Sequence, residues 1–170
     1  GEVEVLGGGR RESRPGGGVW AYQDDAVGEG MAWRGVGFDD SDWKSGASPA
    51  GFGAISGLTI ATETASNTPT AYFRTLVNVP DLDVVDEFIF RLLLDDGAVV
   101  YVNGQEAFRE GFDAATNVEH SVFSDESGNE LDFDEFEVSK SLFIEGANLI
   151  AIEVHNKSAG SSDMAFEMSM

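Results

Sequence analysis

No cysteine occurs among the 170 residues of this chain. Disulfides and thiolate metal sites are therefore excluded. Export is not, because exported proteins of bacterial type often carry no cysteine. Lysine occurs three times and histidine twice. The two histidines, His120 and His155, lie too far apart for a zinc-type spacing. There is no Gly-x-Ser-x-Gly elbow and no thiol, so nucleophilic catalysis finds no support. Gly7, Gly8 and Gly9 run into Arg10-Arg11-Glu12-Ser13 with no helix pattern behind them, which excludes a phosphate loop. No apolar run reaches the roughly 18 residues that a membrane-spanning helix needs.

Basic residues are also scarce. Ten Lys and Arg stand against 31 Asp and Glu, for a formal charge of −21. Such a surface repels phosphate backbones and anionic bilayers, so neither nucleic acid nor membrane is an expected partner. The acids are spread from Asp24 to Glu167, as on a solvated face or around cations, and are not gathered into a tail. The chain opens without a signal-peptide pattern. It stops inside a strand-like run at 164–170. Both features lead us to expect an excised piece of a longer protein. Residues 1–18, with Gly7–Gly9 and Pro15–Gly18, read as a flexible lead-in or the end of a preceding module, with a short strand at Glu2–Leu6.

What the chain has in abundance is two-residue alternation. Strands are expected at 19–23, 50–54, 71–79, 87–95, 98–103, 105–109, 133–138, 147–156 and 163–169. Polar loops fill 24–49, 55–70 and 110–130, with one helical turn at Ser41–Lys44. Phe73, Thr75, Val77 and Val79 share one face of their strand. Ile150, Ile152 and Val154 share another, and Phe88, Phe90, Leu92 and Leu94 form a third row. The segment Arg91–Arg109 reads as consecutive meander strands. Its turns are expected at Asp96-Gly97 and Asn103-Gly104, where glycine tolerates positive φ. One domain of this size with 42% hydrophobic residues can bury a single core. The fold class is all-β: a two-sheet antiparallel jelly-roll β-sandwich over residues 19–170.

Five segments carry a family resemblance: Val19–Asp25 with Ala32–Arg34, Phe38–Gly46, Thr70–Arg74, Asp95–Gly104, and Gly146–Asn156 with Ser161–Phe166. Together they resemble the galactose-binding-like jelly-roll domains of large secreted bacterial proteins. The Phe38-Asp39-Asp40-Ser41-Asp42-Trp43 piece is also similar to the sugar-binding domain of family 2 glycoside hydrolases. The resemblance implies carbohydrate binding, calcium, or scaffolding beside neighbouring domains of a parent chain. It also implies a secreted or cell-surface bacterial setting.

Arg74, Arg91, Glu153 and His155 each stand opposite the apolar row of their strand. On one sheet they would form a polar patch, able to grip vicinal sugar hydroxyls with planar charged groups. A ladder of cross-strand Arg–Glu and His–Glu pairs accounts for the same residues without a ligand. Trp33, in the Gly-rich 28–37 loop, is the exposed aromatic expected to stack on a sugar, whereas Trp43 is expected in the core. Asp39, Asp40, Asp95, Asp96 and Asp163 are loop carboxylates suited to a structural calcium ion, which takes about six to eight oxygens. Asp39 serves equally well as a cap on the turn after it. The expected role is non-catalytic binding of a neutral or cationic glycan, supported by calcium. The alternatives are a spacing or docking module and, third, a polysaccharide-active enzyme. Should the patch not bind, the loops at 55–70 and 110–130 are the next candidates.

Overall fold

Phe73, Val77 and Val79, Ile150, Ile152 and Val154, and Phe88, Phe90, Leu92 and Leu94 all meet in one core, as their alternation requires. Each fully buried large side chain contributes about 1.5–3 kcal/mol by leaving water. A computed structural model describes residues 16–25, 27–66, 68–128 and 132–170. The expected short strand at 2–6, and the lead-in as far as residue 15, lie outside the described residues.

Eleven strands are described: β1 Val19–Gln23, β2 Lys44–Ala47, β3 Ala50–Phe52, β4 Thr62–Glu63, β5 Thr70–Val79, β6 Phe88–Asp95, β7 Gly97–Val102, β8 Gln105–Glu110, β9 Asp134–Val138, β10 Gly146–His155 and β11 Met164–Ser169. They form two sheets, ordered β2-β1-β5-β10-β7-β8 and β4-β3-β11-β6-β9. All pairings are antiparallel except β3 with β4. The chain is thus an all-β, two-sheet sandwich of jelly-roll type. Trp20, Phe73 and Phe166 pack ring against ring between the sheets.

Three local expectations need correcting. The helical turn expected at Ser41–Lys44 is present but shorter, ending before Lys44. The Asp39 carboxylate accepts from the Ser41 N–H and the Asp40 carbonyl from the Trp43 N–H, after which Lys44 pairs with Tyr22 as the first residue of β2. The short strands β2 and β4 also lie within expected loops; neither has an apolar alternation to reveal it.

The third correction concerns β6 and β7. They are not neighbours in a meander. Asp95 pairs with Ala165 in the five-stranded sheet, whereas Gly97 pairs with His155 in the six-stranded sheet. The chain crosses the sandwich at Asp96. Alternation reports which face of a strand is apolar, not which sheet it joins, and both runs are apolar enough to sit inside either. Gly97 has no positive φ. Its requirement is space: a Cβ there would lie 2.6 Å from Ser124 Oγ and 2.7 Å from Ser124 Cβ. Asn103-Gly104 does form the expected tight turn. Its φ angles are 50° and 86°, and it joins β7 to β8.

Candidate functional site

The outer face of the six-stranded sheet carries the buried polar residues Arg74, Glu153 and His155. Register places Glu153 opposite Tyr72, Ala151 opposite Arg74 and His155 opposite Thr70. On the other side, Ala151 lies opposite Tyr101 and Glu153 opposite Val99. This face is covered. Trp33, Tyr72, Val99, Tyr101 and Ala151 form a second apolar cluster, with Phe38, Trp43, Phe112 and Val118 packed around it.

Trp33 is therefore not an exposed stacking platform. It lies in a short 3₁₀ turn, Ala32–Arg34, and is only 1% exposed. Its ring packs 4.8 Å from Tyr72 and edge-on to Tyr101. Arg74 explains this. It is 5% exposed, and its Nε donates to Asp40 Oδ2 at 2.6 Å. Nη1 donates to the carbonyls of Trp33 and Gly35, and Nη2 to that of Phe38. Four of the five guanidinium N–H groups are thereby committed to holding the 33–40 loop on the sheet.

Glu153 and His155 are also buried. Tyr101 donates its hydroxyl to Glu153 Oε1 at 2.8 Å, and His155 Nε2 faces Glu153 Oε2 at 3.5 Å. His155 Nδ1 lies 2.6 Å from the Val122 carbonyl, which can only accept, so this nitrogen carries the proton there. Burial, reinforced by the charge of Glu153, pushes both Tyr72 and Tyr101 well above the usual phenol range. Both hydroxyls stay protonated, and that of Tyr101 donates to Glu153. Arg91 stands apart, on β6 of the other sheet, half-exposed and 3.6 Å from Glu135, its cross-strand partner. The four residues expected in one patch are thus split between the sheets, three of them under a loop and one in a surface pair. The cross-strand pair is the reading that describes Arg91.

The aspartates expected around a metal are individually engaged. Asp39 accepts from the Ser41 N–H, and hydrogen bonding from the Ser41 side chain and then from its N–H holds the carboxyl below the usual carboxylate range. Asp40 is paired to Arg74. Asp95 is buried where β6 ends, and Asp96 accepts from the Lys157 N–H at 2.7 Å. Asp163 accepts from Ser162 Oγ at 3.2 Å. The register draws Asp163 toward the β6 crossover, since Ala165 pairs with Asp95. Even so, no three His, Cys, Asp or Glu side chains converge into a metal-holding group among the described residues.

One end of the sandwich is open. A cavity of about 340 Å³ is lined by Ser66, Thr68, Pro69, Ser121, Phe123, Asn156 and Ala159. Its walls come from the two loops named as next candidates, plus the segment just past β10. The wall backbone is pinned. Asn156 N–H donates to the Pro69 carbonyl, Ser124 N–H donates to the Asn156 carbonyl, and Thr70 Oγ1 donates to the His120 carbonyl. His155 thus acts from beneath, fixing the 120–124 segment through Val122. The sequence offered the loops but not Asn156, because a polar residue at a strand end looks like any turn residue until its burial is known. A second, smaller cavity is lined by Phe52, Gly53, Ile60 and Glu63.

Solved structures share this fold. β-Glucuronidase 2 of Bacteroides uniformis superposes with a TM-score of 0.58 at 17% identity, over 92% of this chain and 18% of that one. A β-glucuronidase from an uncultured Clostridium sp. gives 0.54 at 18% identity, over 91% and 24%. A β-glucuronidase of glycoside hydrolase family 2 gives 0.55 at 14% identity, over 98% and 18%. No protein-family model matches the chain, and no curated protein matches it. These three solved neighbours are β-glucuronidases, one of them described as belonging to glycoside hydrolase family 2. The chain spans about a fifth of their length and resembles them in fold.

Proposed function

We propose that this chain is a non-catalytic carbohydrate-binding module of a larger multidomain protein, exported or displayed at a bacterial cell surface. The observation that carries the reading is coverage. Nearly all of this sandwich superposes on glycosidases, yet it accounts for about a fifth of each. Hydrolysis would need two opposed carboxylates in a cleft. The larger cavity is lined by no carboxylate and the smaller by one. The glycan is neutral or cationic, since a −21 chain repels polyanions. Calcium is not assigned a site, because no three of the nominated aspartates converge among the described residues.

The test is a glycan array followed by calorimetry on the purified chain. Binding with Kd on the order of 0.1–1 mM, or about −4 to −5.5 kcal/mol, is expected for some uncharged glycan. No heat with any glycan would overturn the reading. A second reading, a module that spaces or docks a neighbouring catalytic domain, is favoured by one observation: the strand-borne Arg74–Glu153–His155 set is committed to internal partners.

A further inference from the structure

We propose that the cavity beside Asn156 is the sugar subsite, and that it takes an uncharged saccharide ring; this rests on the carbohydrate-binding reading above. Asn156 is 3% exposed and lines the cavity. Its Nδ2 donates to the Thr68 carbonyl at 3.5 Å, while its Oδ1 is buried with no hydrogen-bond partner. A buried acceptor left unmatched is costly, and natural folds rarely keep one without a use. A ligand hydroxyl is the donor that fits. Sugars present several such groups, and Ser66 and Ser121 supply further hydroxyls around the same space, whereas that of Thr68 is taken by the Thr70 main chain.

The lining also states the class of ligand. It contains no Lys, Arg, Asp, Glu or His. Nothing there compensates a carboxylate or sulfate, and the chain as a whole is strongly anionic. A uronic acid is therefore disfavoured, although the solved neighbours include β-glucuronidases. Phe123 and Pro69 provide the apolar surface that the C–H face of a pyranose needs. The volume lies at the small end of the roughly 300–1,000 Å³ typical of ligand pockets, which suits a terminal residue better than a long chain. The walls are set by main-chain hydrogen bonds through Pro69, Asn156 and Ser124, so little ordering remains to oppose binding.

The experiment titrates the ¹⁵N-labelled chain with the methyl glycosides of galactose, glucose, mannose and xylose, and with methyl glucuronide. At least one neutral glycoside should shift the amides of Ser66, Thr68, 121–124 and 156–160 and the Asn156 side-chain amide, with methyl glucuronide giving no shift. Ala159→Trp and Ser121→Trp place a large ring over the cavity from exposed positions, so the fold should persist. Each should weaken binding at least about tenfold. Asn156→Asp keeps the side-chain shape and adds a charge, and should do the same. Binding of a neutral glycoside that both tryptophan variants leave unchanged would overturn this subsite while leaving the carbohydrate-binding reading standing. Preferential binding of methyl glucuronide would overturn the class of ligand. Silence of every glycoside here, together with heat from a glycan on the array, would also refute the cavity. Silence in both would remove the binding reading itself.

Discussion

Replacing Arg74 by methionine separates a loop anchor from a ligand contact. Methionine keeps the length of the aliphatic stem and deletes every donor. The carbonyls of Trp33, Gly35 and Phe38 and the Asp40 carboxylate then lose their partner together. Leaving the three carbonyls of the covered loop without this donor costs about 1–3 kcal/mol each at most, so a total of about 3–5 kcal/mol is expected. In a domain of this size, each kcal/mol lowers Tm by about 2–4 °C, so a drop of about 6–20 °C is expected. Asp40 is the control. It is 36% exposed, and asparagine retains an acceptor oxygen, so Asp40→Asn should cost no more than about 1 kcal/mol. Thermal and urea melts followed by near-ultraviolet circular dichroism report the loss, because the Trp33 ring rests on Tyr72 and Tyr101. Equal melting of the two variants would refute the anchoring argument. An Arg74→Met protein that melts like wild type but no longer binds sugar would show that Arg74 is a ligand contact.

Gly97→Ala should destabilise by about 1–3 kcal/mol through overpacking against Ser124, although φ at Gly97 is not positive; an unchanged Tm would mean that the 111–124 loop simply yields. Glu110 has its carboxyl raised from 4.5 by burial, then by Asp134 and Glu126. The native state therefore holds that proton more tightly than the unfolded chain, and stability falls as pH rises from below the ordinary value through the raised one. Glu110→Gln should accordingly raise Tm at neutral pH and lose its advantage below 4.5; an advantage that persists in acid would point to packing instead. Calcium and magnesium at matched ionic strength should raise Tm equally, by screening a charge of −21. A rise specific to calcium, abolished by EDTA, would show a cation site beyond the pairings of Asp39, Asp40, Asp96 and Asp163.

What could be foreseen from the sequence was local in origin. The row Phe88, Phe90, Leu92, Leu94 had to face a core because side chains alternate across a strand. Asn103-Gly104 had to turn because its two residues suffice to specify the turn. Asp96-Gly97 carries the same local signal, yet its outcome was decided by remote groups: Ser124 crowds Gly97, and His155 and Ala165 recruit its two flanking strands to opposite sheets. The candidate site failed to be legible for a related reason. A strand-borne arginine opposite an apolar row and a tryptophan in a glycine-rich loop are what a sugar site needs. They are equally what a loop needs in order to close over a sheet, with the guanidinium gripping carbonyls and the indole filling the gap. Residue type cannot separate the two, but the tally of partners can. Arg74 has four of its five donors taken by its own chain, and Glu153 and His155 have partners on neighbouring strands and the 122 loop. Asn156, which attracts no attention in the sequence, keeps one buried acceptor open beside a cavity. An open valence at a concave surface is a stronger pointer to a ligand than an abundance of charged groups, because charges that a fold has already satisfied have nothing left to offer.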